Sequence, residues 1–323
     1  TNGAPRWGMV APEQVERGDM LYGPFAAQYP GNSMGGVVLI TTRMPDHFTA
    51  TLKQTGSVQT YGAYKTHGNY GSSNSAVTLG DRLGRLSWLF SANREESLSE
   101  PLFYVTASSM PTGTTGGIAS QSKTGSTADV MGAGGLQHST MNNLTLRLNY
   151  DFTDWLHLNY MVGLWNNQTR ARAQTYLTTQ AGTPTFGGVS GFANDTYTYN
   201  EEHLMNTIAL KTSTKGHWDG EAIFTDYDYL QDMQRNPAGV TGNTGFTPGG
   251  YITRMDGSGW TTADIKGIWR PTGAGGAHEL SFGAHRDQYD LRNPTYNTDN
   301  WRSSPATGNG TLYASGRGRT TTY

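Results

Sequence analysis

The side chains best suited to acid–base chemistry in this chain are eight histidines and two short acidic clusters. His285–Asp287 and Asp226–Asp228 each place a carboxylate within two residues of another titratable group and could supply a general acid and base. The histidines show no HExxH spacing and no tight pair, and no GxSxG string is present. Because such clusters are more often polar groups of a wall or rim, we predict no catalytic residue, no metal ligand and no cofactor.

Composition excludes several other classes of function. The chain has 323 residues, a formal net charge of −2, no cysteine and 15% charged residues, so nucleic acid is not an expected partner. The glycine strings near 116 and 273 lack a strand-then-helix context, and phosphate binding is therefore not supported. The mean hydropathy is −0.57 and no apolar run is long enough for a transmembrane helix, but a membrane barrel gives the same values, since only alternate residues face lipid.

The elements that would position any site are strands with alternating polarity. In Asn143–Tyr150 the residues Leu144, Leu146, Leu148 and Tyr150 share one face, and polar residues occupy the other. The pattern resumes after a short turn at 152–154, which predicts a long hairpin of about the length that crosses a bilayer. The predicted strands lie near 48–62, 73–82, 86–97, 140–151, 155–169, 201–214, 217–231, 258–270, 278–291 and 311–323.

The connections between these strands predict which end of the sheet carries the loops. Short links near 83–85, 152–154, 215–216 and 271–277 alternate with long ones at 98–139, 170–200, 232–257 and 292–310, and 63–72 is of modest length. This asymmetry is typical of outer-membrane barrels, which have short periplasmic turns and long extracellular loops. Trp155 and Trp218 near short turns, and Tyr227 and Tyr229 near the opposite rim, fit interfacial aromatic belts on the lipid face.

The segment that precedes the first strand has a different character. Val15–Pro45 contains an acidic–basic pair, Glu16 and Arg17, and then turns at Gly23-Pro24 and around Tyr29. Glycine and proline suit such turns, and Gly35-Gly36 allows close approach of a backbone before an apolar run over 37–40.

This segment resembles the end of the plug domain of TonB-dependent outer-membrane receptors, in which a VERIEVLxGPxSALYGxxAxGGVINIxTK pattern precedes the barrel. The chain departs from the pattern at Gly18, where a hydrophobic residue is usual. The resemblance implies an all-β fold: the end of a plug at 1–46, then an antiparallel transmembrane β-barrel at 47–323. Receptors with plugs use about 22 strands, so the chain is expected to be a fragment with about ten of them. The residues that match the plug motif are Glu16, Arg17, Gly23, Pro24, Tyr29, Gly35 and Gly36.

The resemblance also implies a function. Such receptors lie in the outer membrane of Gram-negative bacteria and take up a scarce ligand, most often a ferric siderophore or similar chelate. The TonB energy-coupling complex drives uptake, through a segment outside this chain. The resemblance further implies that Glu16 and Arg17 pair with charges of the barrel wall, although an ordinary salt bridge is an equal alternative. The expected ligand-facing candidates are aromatic residues of the predicted long loops and their edges, namely Tyr104, Tyr176, Phe186, Tyr197, Tyr199 and Trp301.

Two other functions stay open on the sequence alone. One is a barrel enzyme of the outer membrane, similar to a protease, which would use Asp226, Asp228 or His285. The other is a barrel for surface adhesion or carbohydrate binding, which would need neither a plug nor energy coupling.

Overall fold

A computed structural model describes residues 9–22 and 36–322, with side chains described as far as Thr311. Four residues of the predicted plug motif, Gly23, Pro24, Tyr29 and Gly35, lie outside the described residues. Among the described residues, no helix is both long and apolar enough to cross a membrane.

The fold begins with a two-stranded hairpin. Strand β1 (Val15–Tyr22) pairs antiparallel with β2 (Gly36–Thr42), and Glu16 lies at a register shift between Val15 and Arg17. Gly36 has a φ of +147°, and a Cβ atom there would lie 2.9 Å from the carbonyl oxygen of Leu21. Only glycine fits this close approach without a shift of the backbone.

Ten long strands follow and form one antiparallel meander in which each strand pairs with the next along the chain. In the described part of the chain the first and the last of them pair on one side only. The predicted all-β antiparallel fold is confirmed. The strands are β3 (Thr49–Ala63), β4 (Thr66–Leu83), β5 (Leu86–Leu98), β6 (Asp129–Asp151), β7 (Leu156–Thr175), β8 (Tyr197–Thr212), β9 (Trp218–Pro237), β10 (Gly259–Trp269), β11 (Leu280–Thr298) and β12 (Thr307–Thr322).

The long connections contain only short elements. Phe103–Ala107 pairs with β6, and Gly250–Arg254 pairs with both β9 and β11. The remaining elements are the 3₁₀ turn Pro12–Gln14, the helix α1 (Gly191–Asn194) and the two-residue strands Thr114–Thr115, Thr178–Thr179, Val240–Thr241 and Gly245–Phe246.

Loop asymmetry is present, but the strands reach further into the long links than the sequence predicted. β6 begins at Asp129 rather than near 140, and β4 begins at Thr66 rather than near 73. The first link on the long-loop side is therefore a tight turn at 64–65, where Tyr64 has a φ of +52°. Both extensions are rich in glycine, and the one on β6 is buried throughout residues 130–136, so neither shows the alternation that reveals a strand with one apolar face.

The polarity of the two faces of the meander is the reverse of that in a soluble protein, with polar residues buried and apolar residues exposed. On β6, Asn143 and Thr145 are buried at 2% and 3% exposure, whereas Leu144 is 43% exposed. On β5, Ser87 and Ser91 are likewise buried. Polar residues line the concave side and apolar residues cover the outside, as expected for a lipid-facing wall.

A band of apolar residues crosses the outer face of the wall. On β7 the outward apolar residues run from Leu156 to Leu164, about 26 Å along the strand, or about 20 Å vertically at the usual tilt of membrane barrels. Exposed aromatic residues mark its short-turn edge, where Trp218 stacks on Trp269 with ring centroids 5.8 Å apart and Trp155 is 46% exposed. This is the position of an interfacial aromatic belt.

Candidate functional site

The segment before the hairpin packs on the concave side of the wall. Met9 is 5% exposed and belongs to one buried cluster with Trp165, Tyr227, Tyr229 and Met255. The last four residues come from β7, β9 and the loop after β9, so the cluster joins the segment before β1 to several elements of the wall.

His203 of β8 is the polar centre of this cluster and is fully buried. Its Nδ1 lies 2.9 Å from the hydroxyl of Tyr227, and its Nε2 lies 3.3 Å from a carboxylate oxygen of Asp232. The ring stacks on Tyr229 at 3.9 Å and meets Trp165 edge-on at 5.2 Å. The imidazole is thus buried among aromatic rings and is hydrogen bonded to Tyr227 through Nδ1.

The prediction that Tyr227 and Tyr229 belong to an outer aromatic belt is wrong. Both are 2% exposed and face the concave side, where Tyr227 stacks on Trp260 at 4.0 Å. Phe224 and Leu230 of the same strand are the residues exposed on the outside. Aromatic residues suit either face of such a strand, so the residue type alone did not reveal which face they occupy.

Polar contacts attach two further parts of the N-terminal region to the wall, namely the segment before β1 and the end of β2. Lys53 Nζ of β3 donates to Glu13 Oε1 at 3.1 Å, and the Glu13 side chain is only 6% exposed. On β6, a guanidinium nitrogen of Arg147 donates to the hydroxyl of Thr42 and to the carbonyl oxygen of Arg43 at 3.3 Å. These partners could not be predicted from the sequence, since a single Lys or Arg in a strand does not reveal what it faces.

Glu16 and Arg17 lie in β1, and both are exposed. Arg17 Nε donates to Asp19 Oδ2 at 2.8 Å, so Arg17 forms a salt bridge within its own strand. Among the described residues Glu16 makes no ion pair with the wall. A pairing of these two residues with wall charges stays a prediction.

Two candidate ligand-facing residues, Tyr104 and Tyr176, lie near the turn between β3 and β4, where several tyrosines cluster. The hydroxyls of Tyr104 and Tyr61 are hydrogen bonded, and Tyr104 meets Tyr64 edge-on at 4.7 Å. Tyr176 is 6% exposed, with its hydroxyl 2.6 Å from that of Thr66. Burial, and for Tyr104 also the Tyr61 hydroxyl, raises the pKa of Tyr104 and of Tyr176, so both phenols stay protonated at neutral pH.

The other four candidates are packed against, or hydrogen bonded to, other residues of the protein. Phe186 stacks on Phe192 at 4.6 Å in a buried cluster, and Trp301 is 4% exposed. Tyr197 accepts a hydrogen bond from Gln137 at 2.7 Å, and Tyr199 donates to Gln234 at 3.1 Å. The structure thus places all six candidates at the long-loop end without bringing them into one pocket. Their contact with a ligand stays a prediction.

Asp195, after α1, has a half-buried carboxylate in this loop region. It packs against Gly134, where a Cβ atom would lie 2.4 Å from its side chain, and burial raises the pKa of Asp195. A raised carboxyl pKa favours the folded state fully below the unfolded value of about 3.9, and this contribution is lost as the pH rises through the folded value.

We expect Asp195→Asn to stabilise the protein at pH 7 by roughly 0.5 kcal/mol, because the amide avoids burial of a charge. The gain will shrink as the pH is lowered toward 4, as measured by thermal unfolding of the detergent-solubilised protein at both values. Asp299→Asn, at an exposed loop position, is the control and should change neither midpoint. A gain that is independent of pH would show that charge burial is not its cause.

The acid–base clusters noted in the sequence do not form one site. Asp226 and Asp228 alternate with the buried Tyr227 and lie on the outer face of β9. His285 pairs with Asp264 at 2.5 Å on the concave side, since its neighbours Phe282 and Ala284 are exposed outside. Among the described residues, no group of three or more His, Asp or Glu could hold a metal ion.

Comparisons with known proteins agree with this architecture. No protein-family model and no curated protein matches the chain. Among solved structures it resembles FpvA of P. aeruginosa, seen in an iron complex with a pyoverdine, with a TM-score of 0.55 and 10% identity over 93% of this chain and 37% of that one. BauA, the ferric preacinetobactin receptor from Acinetobacter baumannii, gives a TM-score of 0.39 and 14% identity over 89% and 53%, too distant a likeness to carry an argument.

The chain thus spans little more than a third of the length of FpvA. At this level of identity the likeness concerns the fold. The described residues share the fold of part of FpvA, an antiparallel sheet of long β-strands.

Proposed function

We propose that this chain is part of an outer-membrane receptor of a Gram-negative bacterium that takes up a scarce ligand with energy from the TonB complex. The observation that carries the proposal is the inverted wall, with Leu144 outside and Asn143 and Thr145 inside, because only a lipid environment favours this arrangement. The segment that packs Met9 against the concave side supports a plug, which a simple pore or adhesion barrel does not need.

The division at 46 is also part of the proposal. Residues 1–46 would form the end of the plug and 47–323 the first part of the barrel wall, joined by the link between β2 and β3. The TonB complex would act through a segment outside these 323 residues.

A ferric siderophore or a similar metal chelate is the proposed ligand. The support is the fold shared with FpvA, whose structure contains a pyoverdine–iron complex, and the aromatic side chains at the long-loop end. Aromatic rings suit organic chelates through stacking and cation–π contacts. An enzymatic role is less well supported, because the acidic pair of β9 and His285 lie on opposite faces.

The test is uptake of radioactive iron by the bacterium that carries the gene, under iron limitation, with a panel of ferric siderophores. Deletion of the full-length gene is expected to abolish uptake of one of them, and the reintroduced gene should restore it. Loss of the energy-coupling complex should stop this uptake while surface binding persists. Unchanged uptake of every chelate after deletion would contradict the proposed ligand class, and uptake that persists without the complex would contradict the mechanism.

A further inference from the structure

A groove lies on the outer surface of the wall, above the apolar band. β5 ends at Leu98 while β4 and β6 continue, so the surface opens between them. The resulting depression has a volume of about 380 Å³, and a second, of about 600 Å³, adjoins it through Leu98 and His138. The first depression, called the arginine groove, is lined by residues that include Leu98, His138, Arg170 and Arg172.

Two guanidinium groups give the arginine groove its charge. Arg170 and Arg172 are exposed and alternate with the buried Thr169 and Ala171, so both point away from the concave side. Neither guanidinium group makes a hydrogen bond or an ion pair with any other described residue. The neighbouring His138 has an acidic partner, Glu96, whose Oε1 lies 2.9 Å from its Nε2, so the two arginines are the uncompensated charges.

The height of the arginine groove above the apolar band indicates which layer of the membrane surrounds it. Leu164 is the last outward apolar residue of β7, and Arg170 follows six residues later, about 15 Å higher at the usual strand tilt. This level lies above the hydrocarbon and within the headgroup layer of the outer leaflet. A ligand on its way through the barrel would not meet these side chains, since they face outward.

We propose that the arginine groove binds the phosphate-bearing sugar headgroup of a glycolipid of the outer leaflet. Guanidinium forks match phosphate oxygens with two parallel hydrogen bonds each, and the pair at positions 170 and 172 lies on one face of one strand. Leu98, which is 47% exposed, offers an adjacent apolar surface for the non-phosphate part of the headgroup. The inference rests on the proposed placement in the membrane, but not on the transported ligand.

The experiment uses the full-length protein purified in detergent and three probes. These are a phosphorylated glycolipid with its inner-core sugars, the same glycolipid after removal of its phosphates, and inorganic phosphate. Binding is measured by titration for the wild type, for Arg170→Gln/Arg172→Gln, and for Lys123→Gln/Lys215→Asn. The last variant removes two exposed positive charges elsewhere, and asparagine suits the positive φ of 54° at position 215.

The double arginine variant is expected to bind the phosphorylated glycolipid roughly tenfold to hundredfold more weakly than the wild type. The lysine control should bind it as the wild type does, and the dephosphorylated glycolipid should bind all three proteins weakly. Equal affinity of both double variants would overturn the site. Inorganic phosphate that competes at the concentration of the glycolipid would overturn the lipid as the source of the anion.

Uptake of the transported ligand separates this inference from the proposed function. The double arginine variant should retain uptake in cells at the wild-type rate per molecule in the membrane. A loss of uptake with unchanged glycolipid binding would assign the arginines to transport and overturn the inference.

Discussion

Leu146→Arg is expected to prevent most of the protein from inserting into the outer membrane. Leu146 lies on the outer face of β6 between Phe90 and Val162, in the middle of the apolar band. An arginine on the lipid face near the bilayer midplane costs about 2–4 kcal/mol. The measurement is the folded fraction of the full-length protein in lipid vesicles over a series of urea concentrations.

The matched control is Gln168→Arg, which introduces the same group on the same outer face but above the band. Its expected cost is about 0–1 kcal/mol, because the side chain reaches the headgroup layer or water. Equal effects of the two substitutions would contradict the assignment of the band to the hydrocarbon of the bilayer.

Trp165→Ala is the substitution with the second large expected effect. Trp165 is 5% exposed, contacts His203 edge-on and packs in the cluster that holds Met9. Truncation of a buried tryptophan removes its packing and leaves a cavity, at a cost of about 3–5 kcal/mol. The free energy of unfolding of the full-length protein in detergent should fall by this amount, whereas Trp155→Ala, at an exposed belt position, should lower it by much less.

A double-mutant cycle with Met9→Ala tests whether the cluster attaches the segment before β1 to the wall. Residues in contact show coupling energies of about 0.5–3 kcal/mol, so the two substitutions together should cost less than the sum of the single costs. Additive effects would mean that Met9 does not depend on Trp165, and the proposed attachment would then be wrong.

The membrane half of the fold could be predicted from the sequence because lipid imposes a strict period of two. Asn143–Tyr150 shows it plainly, with leucine at every second position and Asn, Thr or Arg between. The close backbone approach expected at Gly36 is present, since a Cβ there would meet the Leu21 carbonyl. The plug motif as a whole stays a prediction, because four of its seven residues lie outside the described ones.

The remaining features depend on contacts between distant segments. The upper half of β6, from Asp129, shows no alternation in the sequence, because residues 130–136 are rich in glycine and are all buried beneath the long loops. Lys53 and Glu13 are 40 residues apart, and nothing local announces that they meet. The alternation along β9 showed that Tyr227 and Tyr229 share a face but not which face, since aromatic residues occur in both lipid belts and buried clusters.

The inverted wall is the central claim, and single-cysteine labelling tests it most directly. The chain contains no cysteine, so each position from Asn143 to Tyr150 can carry one spin label in the full-length protein in vesicles. Labels at Leu144, Leu146 and Leu148 are predicted to collide with dissolved oxygen, and labels at Asn143 and Thr145 are predicted to be protected from it. The same accessibility at odd and even positions, or the opposite alternation, would contradict the account.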